Sequence, residues 1–246
     1  MIEKIEGIVT DVIKHNDTHN VVTLFTRSRG RMAFLVPVGK TKSGRMRNAV
    51  LSLMAVVSAD INVREGRELH TLRQVQPLRL WHAIYSHPVK GSLLFFLTEF
   101  CNRLIRQYPP DEALWAAIME ALEKLDALPS GRIANFHISF LVKLLTVTGI
   151  RPAVSEWQDG MLFDMLSGEM VDRTHPEFLR RRQLLNEKES RAVVPLLRMN
   201  YRNMALYRFT RSQRNAAINR LLGYYSIHLP IGTDFKSLPV LRDLFD

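Results

Sequence analysis

The chain has 246 residues, 46% of them hydrophobic, enough to build one large domain or two modest ones and too apolar for global disorder. Its formal net charge of +10 exceeds what solubility requires and favours an anionic partner such as nucleic acid, anionic lipid or an acidic protein surface. No apolar run approaches the roughly 20 residues of a membrane-spanning helix, and Glu3 and Glu6 interrupt any signal-peptide opening, so the expected location is the cytoplasm.

Residues 1–79 read as a small β domain. Ile5 to Val9, Asn20 to Arg27, Arg31 to Val38, Ala49 to Ser58 and Leu69 to Val75 are short β-rich or apolar runs bounded by turn residues. Arg27-Ser28-Arg29-Gly30-Arg31 has the composition of a hairpin turn, with Gly30 free to take a positive φ. Gly39-Lys40-Thr41-Lys42-Ser43-Gly44 is polar and without periodicity, and reads as a loop. Five short strands suit a closed barrel of the oligonucleotide-binding (OB) type, and an SH3-like barrel fits the pattern nearly as well.

From about Trp81 the period turns helical, so that residues 80–246 form a second, all-α domain. One helix is expected from Pro88 to Tyr108, ended by Pro109-Pro110, and another from an Asp111 N-cap to about Ala127. Ile133 to Val147 makes a third, and helices resume from His175 with interruptions near Pro195, Gly223 and Pro230. The stretch 149–174 is irregular and can hold a short hairpin. Cys101 falls in an apolar helix and is expected to be a buried structural thiol.

The charge is unevenly distributed. Between Asp17 and Asp60 no acidic residue occurs, while Arg27, Arg29, Arg31, Lys40, Lys42, Arg45 and Arg47 all fall there. Turn residues of a barrel converge at a rim, where such cations can follow a phosphate backbone. A second basic region runs from Arg180-Arg181-Arg182 to Arg220 and includes Arg211 and Arg214; these five are candidates for a second nucleic-acid surface, against the plainer reading of exposed helix faces. Phe25 and Phe34 flank the basic turns, but strand aromatics of a small barrel usually fill its core.

Enzymatic chemistry finds little purchase. Gly39-Lys40-Thr41 resembles the end of a phosphate-binding loop, but Phe34 stands where its first glycine is required, and no helix is expected to follow. His15, Asp17 and His19 surround a polar Asn16-Asp17-Thr18 turn, the remaining histidines lack ligand spacing, and no serine sits in a nucleophile elbow. No catalytic residue, metal or cofactor is expected. A metal-dependent nuclease using Asp11, His15 or Asp17, or an RNA-binding barrel protein, are the alternatives.

Three stretches carry a family resemblance: Lys4-Ile5-Glu6-Gly7-Ile8-Val9, then Asn16-Asp17-Thr18 with the apolar Val21 to Phe25, then Arg29-Gly30-Arg31-Met32-Ala33-Phe34. Together they resemble the opening of the bacterial RecO family. Phe140 to Leu145 followed by Gly149-Ile150-Arg151-Pro152, and the closing Leu221-Leu222-Gly223-Tyr224-Tyr225 and Leu238-Pro239-Val240-Leu241, are similar to its later segments. The resemblance implies an OB barrel with a helical C-terminal domain. It also implies a recombination mediator that binds single- and double-stranded DNA, anneals complementary strands without ATP, and works with RecR and the single-stranded-DNA-binding protein SSB to load RecA. The acidic, apolar tail that the resemblance assigns to SSB is expected on the helical domain, near the apolar runs Leu93 to Ile105 and Phe136 to Val147. Many members carry four cysteines as a zinc module after the "G…P" segment; Ala153 to Asp172 holds none, so zinc is expected to be absent. Trp157, Met161, Leu162, Phe163, Met165 and Leu166 are expected to form an apolar replacement.

Overall fold

A computed structural model describes residues 2–39, 42–63, 66, 68–106, 109–154, 156–174 and 183–243, without the side chains of Lys42, Ser43, Arg45 and Arg47. Five strands come first: β1 (Ile2–Lys14), β2 (His19–Thr26), β3 (Gly30–Pro37), then helix α1 (Lys42–Val50), β4 (Val56–Asn62) and β5 (Leu69–Arg79). They close a barrel in the order β1-β2-β3-β5-β4. All pairings are antiparallel except the seam, where Ala33–Leu35 of β3 meet Leu69–Thr71 of β5 in parallel. Strand β1 is long enough to serve two neighbours: Ile2–Ile8 pair with β4 and Gly7–Lys14 with β2, with an irregularity between Val9 and Asp11 that turns the strand from one partner to the other. The connectivity is that of an OB fold, as the strand pattern and the resemblance both indicated.

Inside the barrel pack Ile5, Val9, Val22, Leu24, Phe34, Val57 and Ile61, with Leu51 and Ala55 closing one end. Phe25 is equally buried but faces outward, across from Ile8 in the β1–β2 ladder, and its ring lies 6.0 Å from Trp115. At Phe25 this hairpin is therefore buried on both sides, by the barrel interior on one and by Trp115 of helix α4 (Glu112–Ala127) on the other. That covering explains how the chain divides. The barrel ends at Arg79, yet α2 (His82–Ser86), α3 (Pro88–Leu104) and α4 pack with it as one compact unit, Met1–Ala127 joined by Phe235–Leu238. The indole of Trp81 donates to the carbonyl of Met54 at 2.7 Å and fixes the exit from the barrel.

Two expectations need correction here. Ala49 to Ser58 is not one strand: its first residues end helix α1, and β4 begins at Val56. Gly39 to Gly44 is not simply a loop either, because the helix starts within it. Lys42–Val50 contains Ser43, Gly44 and Asn48 and no apolar stripe, so propensity gives no warning of a helix. The backbone makes it possible: a Cβ on Gly39 would lie 2.0 Å from the carbonyl carbon of Gly44, so only glycine lets the first helical turn close on the end of β3.

The second unit, Leu128–Asp234 with Pro239–Asp246, is built on α5 (Phe136–Val147), a hairpin of β6 (Met161–Asp164) and β7 (Glu169–Asp172), α6 (Glu187–Leu197), α7 (Arg211–His228) and most of α8 (Leu238–Asp243). Nearly all of α5 is buried, as its almost continuous apolar sequence requires. Tyr225 and Tyr224 of α7 donate to the carbonyls of Leu141 and Ile150 at 2.7 and 3.0 Å, binding α7 to α5 and to the chain that follows it. Helix α7 runs straight through Gly223, where an interruption was expected; the missing side chain leaves room for Met165. Pro195 likewise lies inside the last turn of α6. The expected helix start at His175 lies outside the described residues.

The hairpin expected in 149–174 is present. Leu162, Phe163 and Met165 are buried, and Arg191 stacks over Trp157 at 4.2 Å. Leu166 is 59% exposed and does not join them. The ring of Phe163 lies 6.1 Å from that of Tyr224, and Leu185 and Val193 complete the apolar contact. Packing thus ties this hairpin to α6 and α7.

Candidate nucleic-acid interface

The hairpin turn between β2 and β3 forms as its composition indicates. Thr26 Oγ1 donates to the carbonyl of Gly30 at 2.8 Å and accepts from the Arg29 N–H, and Gly30 takes φ +67°. Gly30 also lies against the Pro109–Pro110 segment, where a Cβ would come within 3.1 Å of the Pro110 nitrogen. Glycine is thus required twice over, by conformation and by proximity.

The arginines of this turn are not the unpaired row that the local charge count implies. Arg27 forms a forked pair with Glu112 of α4, at 2.7 and 2.5 Å, and lies 3.6 Å from Glu6. Arg29 places two nitrogens on one Glu3 oxygen, at 2.8 and 2.6 Å. The hydrogen bonds and charge of the two arginines hold Glu112 and Glu3 below the usual carboxylate range and raise the arginines in turn. The neutralising carboxylates lie 85 and 26 residues away in sequence, and only the fold brings them in. Arg27 and Arg29 remain about half exposed, at 51% and 45%, so an anion can still reach them.

Arg31, paired across the ladder with Phe25, is exposed and has no carboxylate partner among the described residues. Lys42, Arg45 and Arg47 fall on helix α1, between β3 and β4; their side chains, and all of Lys40, lie outside the described residues. Phe34 fills the barrel core, as expected, and is no surface platform.

In the other unit, Arg180, Arg181 and Arg182 lie outside the described residues. Arg211 is tied to the carbonyl of Arg242 at 2.9 Å and to the Asp243 carboxylate. Arg214 is only 8% exposed, with its guanidinium on Asn135 Oδ1 and the Phe209 carbonyl, and burial lowers its pKa. Arg214 therefore belongs to the interior and offers no surface contact, which removes it from the candidate DNA surface.

The remaining chemistry-bearing residues serve structure. Asn16 Oδ1 accepts from the backbone and hydroxyl of Thr18 and the backbone of His19, and Asp17 pairs with Lys14, so the turn is self-contained. Cys101 is fully buried and burial pushes its thiol up. Among the described residues no three His, Cys, Asp or Glu converge as metal ligands, and no helix is long and apolar enough to cross a membrane. A helix does follow Gly39-Lys40-Thr41, contrary to expectation, but the glycine that a phosphate-binding loop needs at position 34 is still Phe34. The apolar runs expected to receive a peptide tail are mostly core: Leu93, Leu94, Phe96, Leu97 and Phe100 of α3 are buried, and only Phe95 stands out, at 58%.

A closed OB barrel with a basic turn, followed by a helical region, is an architecture shared by several families of nucleic-acid-binding proteins. Comparison with known proteins fixes which one. The family model described as Recombination protein O N terminal matches residues 1–81, and that described as Recombination protein O C terminal matches residues 86–159. A protein of Bacteroides fragilis named DNA repair protein RecO is 30% identical over 246 residues, and those of Phocaeicola vulgatus and Porphyromonas gingivalis are 29% and 28% identical, in each case over 100% of both chains. The chain belongs to the RecO family of DNA repair proteins.

Proposed function

We propose that this protein is a non-enzymatic recombination mediator: it binds single- and double-stranded DNA, anneals complementary strands without ATP, and with RecR helps to load RecA onto DNA coated by SSB, whose C-terminal tail it contacts. The observation that carries the reading is similarity to DNA repair proteins RecO along the whole chain. It is joined to a barrel whose sequence carries cations on a turn, on β3 and along the segment 40–47. Arg31, Lys40, Lys42, Arg45 and Arg47 are the proposed principal phosphate contacts, with Arg27 and Arg29 secondary because each must share its fork with a carboxylate. Such contacts are indifferent to base identity, which suits a protein that must handle any sequence.

The test is annealing of complementary strands precoated with SSB, in the absence of nucleotide. The reading predicts rapid annealing by the wild-type protein and its loss in the R45E/R47E double variant. Preferential binding of RNA without annealing, or degradation of the strands on addition of magnesium or manganese, would contradict it.

A further inference from the structure

Between Glu189 and Asp234 the sequence contains no acidic residue and no lysine, but seven arginines: Arg191, Arg198, Arg202, Arg208, Arg211, Arg214 and Arg220. The fold disposes of four. Arg191 and Arg220 pair with Asp159 and Glu189, Arg211 pairs with Asp243, and Arg214 is interior. Of the other three, Arg198 is the C-cap residue of α6, and Arg202 and Arg208 are exposed, with no carboxylate paired to either of these two among the described residues. Both stand on the segment that joins α6 to α7.

That segment is held rigidly. Asn200 Oδ1 accepts from the N–H groups of Arg202 and Asn203, at 2.9 and 3.2 Å, while Asn203 Oδ1 accepts from the Asn200 N–H at 2.8 Å. Asn135, 4% exposed, donates to the carbonyls of Met204 and Tyr207 at 3.0 and 2.7 Å, and Arg214 holds that of Phe209. The ring of Tyr201 stacks on Phe136 at 5.0 Å. On this fixed frame Leu206 is 80% exposed, beside the part-exposed rings of Tyr207 and Phe209, which meet edge-on at 5.8 Å.

We infer that the Asn200–Phe209 loop is a second nucleic-acid contact on the helical unit, in which Arg202 and Arg208 take backbone phosphates of a single strand and the Leu206–Tyr207 tip takes an unstacked base. Three observations select this occupant. The cations are all arginine, whose planar fork matches phosphate. An apolar tip lies between them, and only a single strand offers free base faces to such a tip. A preformed loop also loses little freedom on binding. The inference rests on the DNA-binding reading above and adds a contact on the helical unit to those of the barrel.

The experiment is fluorescence anisotropy of a labelled single-stranded oligonucleotide with the full chain, from about 0.05 to 0.5 M salt. Two lost phosphate contacts remove about 1.4 from the slope of log affinity against log salt, at about 0.7 each, which corresponds to about 25-fold weaker binding at 0.1 M salt. R202E/R208E is expected to lose that much, R202K/R208K to keep the wild-type slope because charge is retained, and L206S to weaken single-stranded binding while leaving duplex binding unchanged. If wild type binds DNA and R202E/R208E binds with the same slope, the second contact is refuted and the barrel reading stands. If the lysine variant fails as badly as the glutamate variant, the loop is structural and the inference falls. If wild type does not bind DNA at all, the failure is of the functional reading itself.

Discussion

The barrel turn at Arg27–Gly30 and the loop at Asn200–Phe209 look alike in sequence, each a short basic stretch without a nearby acid, yet the fold treats their arginines differently. In the turn, Glu112 and Glu3 arrive from distant positions and occupy Arg27 and Arg29. Around the loop, the carboxylates go to Arg191 of α6 and to Arg211 and Arg220 of α7, while Arg202 and Arg208 within it face solvent. A run of one charge sign along the chain therefore does not by itself measure what a ligand meets; availability is decided by tertiary pairing.

The largest effects should come from removing what holds the loop. Asn135→Ala leaves the Tyr207 carbonyl without its side-chain donor and takes one hydrogen bond each from the Met204 carbonyl and the Arg214 guanidinium, and at about 1–3 kcal/mol for a buried group left unpaired it should cost about 2–3 kcal/mol in denaturant unfolding. A cost below about 1 kcal/mol would mean that the frame is looser than described. Close behind comes His137, fully buried in α5, whose pKa burial and the Arg214 charge depress to about 3. The unfolded chain takes up a proton near pH 6.5 while the folded one does not, so stability should fall as pH drops below about 6.5, at up to ~1.4 kcal/mol per pH unit, until the folded group titrates. His137→Phe should flatten that slope, and an unchanged pH profile would show that His137 ionises as readily folded as unfolded.

On the barrel side, Gly30→Ala should cost about 1–2 kcal/mol, because its left-handed φ penalises any Cβ before the Pro110 contact is counted. Smallest should be Arg27→Gln with Arg29→Gln. Both side chains are largely solvated, so the midpoint of thermal unfolding should move little and DNA affinity fall less than in R45E/R47E. A loss equal to that of the α1 pair would erase the distinction drawn between the two groups of cations.

What was legible followed from local chemistry. Alternating strands, the Gly30 turn, the Asp111 cap, where the Leu114 N–H meets Asp111 Oδ1 at 3.0 Å, and the hairpin in 149–174 are all written within a few residues of where they act. What was not legible depends on distance. Helix α1 exists because Gly39 admits Gly44; the barrel unit extends to Ala127 because Phe25 and Trp115 meet; and Phe235 belongs with α3, stacked 6.0 Å from Phe100 under Arg103, while Glu99 accepts from Lys236, Ser237 and its hydroxyl. The candidate site was legible as a region and not as residues. The exposure of Arg202 and Arg208 and the burial of Arg214 separate residues that the sequence places side by side in one basic run.

The most direct test of the account as a whole is the salt dependence of single-stranded DNA binding by the wild-type protein. Five barrel cations and two on the loop, at about 0.7 each, predict a slope of log affinity against log salt of about −5, or about −3.5 if the barrel acts alone. A slope shallower than about −1, or no binding at 0.1 M salt, would contradict a protein that holds DNA by its phosphates.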